Sequence, residues 1–286
     1  MKRLLILLLL LAGGCTPSAE RVRQEADRCW AAGEWNEEAV RRHPEQLEER
    51  FGRWVGLLEQ LPVEEAGPRL RTWLQEREGS AAGFQFAWEL TEKYLYVPYS
   101  PLRDDELYAY ALEEIVRSPQ IDDYRKLRPR YQLNMVRRNR PGSPAADFAL
   151  TLPDGTVQQL HDVKAPLTLL VFSDPECDDC RRMVRRLRRN GWIRLAELRK
   201  ELQIVAVYSN PEELCESWEE YASTLPDRWL TARDEGARLH YKGLYDLRAT
   251  PALYLLDPQK RVLVKGAVTL PPVTRQIRRA LLPGRE

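Results

Sequence analysis

Cys177-Asp-Asp-Cys180 and Thr250-Pro251 are the residues whose types and spacing could do chemistry. Two thiols three residues apart at the start of a helix can close a disulfide with little backbone movement. The helix N-terminus also favours the thiolate form that attacks. A lone CxxC fits redox work, metal ligation or chance. Metal ligation is the poorer fit, because a closed zinc site needs four N/S ligands. The chain offers one CxxC and three histidines, His43, His161 and His240. No metal and no cofactor is therefore expected beyond a redox-active disulfide between Cys177 and Cys180. A strand, CxxC, a helix and then X-Pro before another strand points to thiol–disulfide exchange.

The elements that must position these residues lie in the second half of the chain. Arg140-Pro-Gly-Ser-Pro144 marks a boundary, after which the pattern alternates as strands do. Phe148 to Leu152 and Val157 to Leu160 make a hairpin about the turn Pro153-Asp-Gly-Thr156. Leu167 to Phe172 is a continuous apolar run, suited to a strand buried on both faces. A helix over Cys177 to Arg189 turns Met183, Val184 and Leu187 inward. Leu202 to Tyr208 is the next buried strand, followed by a helix over Pro211 to Tyr221 capped by Asn210. Ala252 to Leu256 and Arg261 to Gly266 form a second hairpin around Asp257-Pro-Gln-Lys260, and Pro271 to Leu282 is a closing helix. This is an α/β plan with a mixed sheet.

Residues 19 to about 138 read as helices throughout. Apolar residues recur at helical spacing in Phe51, Trp54, Val55, Leu58 and again in Leu107, Tyr110, Ala111, Ile115. Pro44, Pro62, Pro68, Pro98 and Pro101 punctuate the segments. Trp30, Trp35, Trp54, Trp73 and Trp88 fall in this half and are expected in its core. No catalytic constellation appears there.

The N-terminus suggests where the thiols work. Met1-Lys2-Arg3 precedes the apolar run Leu4 to Leu11, too short for the roughly 20 residues that cross a bilayer but suited to a secretory signal. Ala12-Gly-Gly-Cys15 resembles a bacterial lipoprotein signal, which implies that Cys15 is lipidated; an ordinary cleaved signal is the plainer alternative. Residues 1–15 are thus expected as signal peptide with lipidated Cys15, residues 16–140 as an α-helical domain and residues 141–286 as the α/β domain. Acyl chains would hold the body in the cell envelope; Thr16 and the absence of an early acidic cluster resemble sorting signals that imply the periplasmic face of the outer membrane. The balance of 44 Lys+Arg against 43 Asp+Glu provides no field to attract nucleic acid, so that partner is not expected. Cys29 and Cys215 remain, and are expected either to pair or to stay buried.

Pro144-Ala-Ala-Asp-Phe148, Phe172-Ser-Asp-Pro-Glu-Cys-Asp-Asp-Cys180 and Ala249-Thr-Pro-Ala-Leu-Tyr-Leu-Leu-Asp257 together resemble the thioredoxin-like, membrane-anchored thiol–disulfide oxidoreductases related to alkyl hydroperoxide reductases. The resemblance covers residues 141 to 286. The helical half resembles an uncharacterised domain found ahead of such modules in envelope lipoproteins. The implied fold class is an all-α domain followed by a thioredoxin-like domain whose mixed sheet is flanked by helices. The resemblance implies Cys177 as the attacking thiol and Cys180 as the resolving one. It also implies Pro251 as a cis-proline facing the dithiol and the Thr250 backbone as the partner of a substrate strand. Peroxidase chemistry is disfavoured, since Leu170 and Asp174 stand where that pattern has Pro and Thr or Ser. The chain departs from its relatives at Glu176, where an aromatic is common, and at Val171 and Met183, where many carry a buried acid.

Glu176, Asp178, Asp179 and Arg181 are the expected redox-tuning residues, with Asp174 and Arg182 beside them. The carboxylates disfavour the thiolate, while the helix end and the arginines favour it, so the effects should nearly cancel. A poorly stabilised thiolate makes a weak oxidant, which suggests a reductase or electron relay served by an upstream thiol reductant and acting on a protein disulfide. The alternative is a non-enzymatic binding or scaffold lipoprotein whose dithiol is residual. Arg181, Arg182, Arg185, Arg186, Arg188 and Arg189 crowd the helix after the dithiol. They are expected mainly to pair with glutamates of the helical half, with docking of an acidic partner, or of lipid phosphates near the anchor, as the alternative.

Overall fold

The computed structural model describes residues 18–30, 35–174, 176–209 and 217–282. Cys15, the cap Asn210 and Cys215 lie outside these residues. Helices fill the first half: α1 (Ala19–Arg28), α2 (Glu37–Arg42), α3 (Pro44–Leu58), α4 (Val63–Gln75), α5 (Ala81–Leu95), α6 (Asp105–Arg117) and α7 (Leu127–Arg137). Polar caps start several of them. Ser18 Oγ accepts from the Arg21 amide, Asn36 Oδ1 from Ala39, and Asp104 Oδ1 from Glu106 and Leu107. Pro44 opens α3 at a position whose amide needs no partner.

Pro68 departs from the sequence reading. It sits inside α4 rather than between segments, because the face formed by Ala66, Gly67, Leu70, Trp73 and Leu74 is buried and keeps the helix continuous. Gly67 is required there, since a Cβ would lie 2.4 Å from the Tyr110 ring of α6. The tryptophans do form core: Trp35, Trp54, Trp73 and Trp88 are buried. The Trp73 ring meets Trp30, Trp35, Trp54 and Phe51 at centroid distances of 4.9–5.5 Å. The Arg77 guanidinium lies 4.1 Å over Trp73, and burial lowers its pKa to about 10. Cys29 is half-buried against this core.

The second half contains β1 (Ala149–Thr151), β2 (Val157–Gln159), β3 (Leu167–Ser173), α8 (Asp178–Arg189), α9 (Gly191–Leu198), β4 (Leu202–Tyr208), α10 (Ser217–Thr224), β5 (Leu230–Arg233), α11 (Arg238–Tyr241), β6 (Ala252–Leu256), β7 (Val262–Ala267) and α12 (Leu270–Leu281). The strands form one mixed sheet in the order β2-β1-β5-β4-β3-β6-β7. β3 is central, parallel to β4 and antiparallel to β6. Its unbroken apolar run is explained by the two-residue period of a strand. Leu169 and Val171 meet Met183, Leu187, Val273 and Ile277 on one face, while Leu170 and Phe172 meet Phe148, Leu239 and Tyr245 on the other.

β5, α9 and α11 go beyond the sequence reading. β5 carries only four residues, yet it joins the first hairpin to the sheet, between β1 and β4. No described helix is long and apolar enough to cross a membrane.

The two halves meet through a buried cluster of charge. Asp105 opens α6 and accepts from Arg248 at 2.9 Å; its other oxygen lies 3.0 Å from Lys265 of β7. Arg103 adds a third cation at 3.4 Å and donates to the Gly266 carbonyl at 2.8 Å. Burial alone would raise the Asp105 pKa, but Lys265, Arg103 and Arg248 outweigh it and hold the carboxyl at about 2.

Candidate active site

The dithiol sits where β3 hands over to α8. Ser173, the last residue of β3, is fully buried, and the chain then turns so that the Cys177 amide donates to the Asp174 carbonyl at 3.2 Å. Cys177 is the N-cap of α8, and its sulfur accepts from the Cys180 amide at 3.3 Å. This is the use of a helix end that the spacing predicts: an unpaired amide of the first turn is directed at the sulfur that must carry charge. Cys180 lies one turn on and is 1% exposed, its sulfur accepting from the Asp174 amide at 3.5 Å. Burial pushes the Cys180 thiol up to about 12. Neither sulfur is in a disulfide.

Thr250 and Pro251 reach the dithiol because β6 runs antiparallel to β3, with Ala252 opposite Phe172. The Thr250–Pro251 bond is cis. Cys177 Sγ lies 3.8 Å from the Thr250 carbonyl oxygen, to which its thiol donates. The four residues expected to carry chemistry, Cys177, Cys180, Thr250 and Pro251, are therefore brought together. Among the described residues no group of His, Cys, Asp and Glu could hold a metal ion.

The surrounding charges are matched more locally than the sequence reading supposes. Asp178 pairs with Arg181 and Asp179 with Arg182, each one turn along α8. The Arg181 side chain beside Asp178 holds its carboxyl below the usual range. Glu176 donates its amide to Asp174 Oδ1 at 2.8 Å. The expected pairing of the α8 arginines with glutamates of the helical half is not found. Arg181 and Arg182 have these partners within α8, and Arg185, Arg186, Arg188 and Arg189 make no ion pair among the described residues. Their helix faces α10 instead: Arg181, Arg185 and Arg188 line a cleft with Glu220, Tyr221 and Thr224.

The apolar Val171 and Met183, which occupy the positions where a buried acid could serve Cys180, lie in the core. Polar neighbours come from elsewhere. The Ser173 and Tyr221 hydroxyls share a 3.0 Å hydrogen bond. Burial raises the Tyr221 pKa, and the nearby Cys180 and Asp174 add to the shift.

Arg248 is the main residue missed by sequence reasoning. Two residues ahead of Thr250, it stacks 3.4 Å over the Tyr96 ring and donates to the Tyr96 carbonyl at 2.9 Å. Its closeness in sequence to Pro251 was the available signal. Nothing in the sequence pointed to Asp105 or Tyr96, which belong to the other half.

The helical part, residues 29–139, matches a family described as a domain of unknown function (DUF5106). No curated protein matches the chain. Among solved structures, a thioredoxin-like protein from Bacteroides caccae is 28% identical, with 91% of each chain covered and a TM-score of 0.83. The C-terminal domain of an uncharacterized protein from Bacteroides fragilis is 34% identical over 49% of this chain and 98% of its own, with a TM-score of 0.47. The thioredoxin domain of a thiol–disulfide oxidoreductase from Bacteroides vulgatus is 18% identical over 50% of this chain and 98% of its own, with a TM-score of 0.42. The chain therefore has a thioredoxin-like fold, preceded by a helical region similar to a domain of unknown function.

Proposed function

We propose that this thioredoxin-like chain is a thiol–disulfide oxidoreductase that reduces, or relays electrons to, protein disulfides through Cys177 and Cys180. The observation that carries the reading is the placement of one sulfur at a helix N-cap, 3.8 Å from the Thr250 carbonyl, with a second, buried sulfur one turn behind it. Cys177, as thiolate, attacks one sulfur of a client disulfide and forms a mixed disulfide, releasing the other client sulfur as a thiolate that takes up a proton. Cys180 then gives up its proton and attacks Cys177 Sγ, which releases the second client thiol and leaves the Cys177–Cys180 disulfide. Two electrons pass from the dithiol to the client, and an upstream thiol reductant must restore them.

The high pKa of Cys180 suits this order, because a thiol that stays protonated while Cys177 attacks does not compete with it. Redox tuning falls to Glu176, Asp178, Asp179 and Arg181 around the first turn of α8. With Asp178 and Asp179 each paired to an arginine, the site holds little net field, in keeping with a weak oxidant. The N-terminal sequence supports a lipid anchor at Cys15, a cell-envelope location and the periplasmic face of the outer membrane. The near-neutral charge balance gives no support for a nucleic-acid partner.

A second reading, a binding or scaffold role for the helical half, is favoured by Val171 and Met183, which give Cys180 no carboxylate at those positions. Trapping separates the two. In the native envelope Cys180→Ala should accumulate discrete mixed disulfides that vanish in the Cys177→Ala/Cys180→Ala double variant. A folded, anchored Cys180→Ala protein that captures nothing would favour binding.

A further inference from the structure

The loop between α5 and α6 carries Tyr96 to Asp104 and is fixed at two points beside the dithiol. At one end the Tyr96 carbonyl accepts from Arg248, which leads directly into Thr250 and Pro251. At the other Arg103 donates to the Gly266 carbonyl near the end of β7. β7 in turn pairs Ala267 with Leu253, two residues past Pro251. A loop of the helical half thus spans the two chain segments that flank the sulfurs.

Between this loop and the end of β7 lies a cleft of about 520 Å³, within the range of roughly 300–1,000 Å³ typical of ligand sites. Pro98, Tyr99, Pro101, Ala267, Val268 and Pro272 supply apolar and aromatic walls. Tyr99 is 61% exposed although it is a large aromatic. Burial raises its phenol pKa, and the nearby Asp179 carboxylate and the dithiol add to the shift.

We propose that Tyr99 is a specificity-determining residue that the helical half lends to the exchange site. It receives an aromatic or large aliphatic side chain next to the client cysteine while an extended client segment lies along the cleft. The inference rests on the oxidoreductase reading and adds the client's chemistry to it. An extended segment fits because Ala267, which pairs with Leu253 two residues past Pro251, forms one wall of the cleft, so a chain lying along it runs beside the segment whose Thr250 carbonyl meets Cys177. An aromatic client residue fits because Tyr99 offers an exposed ring with no aromatic partner among the described residues.

The test uses the full chain in its dithiol form, mixed with excess oxidised synthetic peptide. One peptide carries phenylalanine beside its cystine and the other carries serine. Two electrons move from Cys177 and Cys180 to the peptide disulfide, and the rate is followed against peptide concentration. In the wild type the phenylalanine peptide should half-saturate at a roughly three- to tenfold lower concentration. Tyr99→Ala should bring the two peptides within about twofold, Tyr99→Phe should restore the preference, and the equilibrium with a dithiol buffer should not move. Because Tyr99 is largely exposed, the alanine variant should fold. A wild type that treats both peptides alike, or a Tyr99→Ala protein that keeps the preference, overturns the inference. Failure of the wild type to exchange with either peptide overturns the oxidoreductase reading itself, and the assignment of Tyr99 with it.

Discussion

Asp105 and Arg248 stand 143 positions apart in the chain and are joined by a 2.9 Å hydrogen-bonded ion pair at the boundary between the helical half and the sheet. Both side chains are nearly buried, and Arg248 leads into the segment that faces the attacking thiol. The helical half is therefore part of the scaffold of the dithiol site.

Removing the Arg248 guanidinium should loosen that scaffold. Arg248→Met would leave the buried Asp246, whose Oδ2 lies 2.6 Å from the guanidinium though not aligned for a hydrogen bond, without its cation. It would also free the Tyr96 carbonyl. Breaking a buried pair by removing one partner costs about 3–5 kcal/mol. Arg248→Lys keeps the charge but loses the planar stacking on Tyr96 and should cost less. Denaturant unfolding should rank wild type above Lys above Met, and peptide-disulfide exchange should fall in the same order. Equal stability of all three would show that the cluster does not hold the halves together.

The same cluster predicts an acid transition. The carboxyl of Asp105 is depressed in the folded state, so its contribution is fully present above the unfolded value near 4 and is lost as pH falls through about 2. A shift of this size is worth about 2–3 kcal/mol. Asp104 beside it runs the other way, because burial raises its pKa and protonation there relieves the folded state. The two are separated by comparison with Asp105→Asn, which should be less stable than wild type at pH 6 and should lose less stability between pH 4 and pH 2. Parallel acid profiles for the two proteins would rule Asp105 out as the sensor.

Much of the site was legible in the sequence because it depends on local rules. A capping cysteine needs only a helix start, and the continuous run of β3 needs only a strand covered on both faces. Thr250–Pro251 had its own strand beside it. What was not legible depends on distant pairing. β5 is four residues long and owes its place to β1 and β4, and Pro68 lies inside α4, whose neighbouring Gly67 packs closely on Tyr110 of α6. The α8 arginines were expected to reach across to the helical half, but carboxylates one turn away on their own helix pair with Arg181 and Arg182.

The two thiols should differ sharply in reactivity. Cys180 is 1% exposed and its pKa stands at about 12, so almost none of it is thiolate at pH 7.5. Cys177 is half-buried at the helix end and open to reagent. Iodoacetamide at pH 7.5 should modify Cys177 at least about tenfold faster, read by peptide mass mapping. In Cys177→Ser, Cys180 should stay unmodified until denaturant is added. Comparable labelling of both in the folded protein would contradict the buried, resolving role given to Cys180.

The paired carboxylates at the start of α8 provide the sharpest test of the electrostatic argument. Each lies in the first turn of the helix that Cys177 caps, and each is offset by an arginine one turn on. Asp178→Asn with Asp179→Asn removes two negative charges and leaves Arg181 and Arg182 to act with the helix end, all favouring the thiolate. Alkylation of Cys177 at pH 7 should then rise by roughly three- to tenfold at low salt, and less at high salt, since these groups are exposed. The disulfide should become a stronger oxidant in the same variant, because whatever stabilises the thiolate also stabilises the reduced form. The helix loses favourable acid–dipole contacts in its first turn, so stability should fall slightly even as reactivity rises. Slower alkylation, or a more reducing disulfide, would mean that these carboxylates do not set the thiolate's energy and that the weak-oxidant assignment needs another cause.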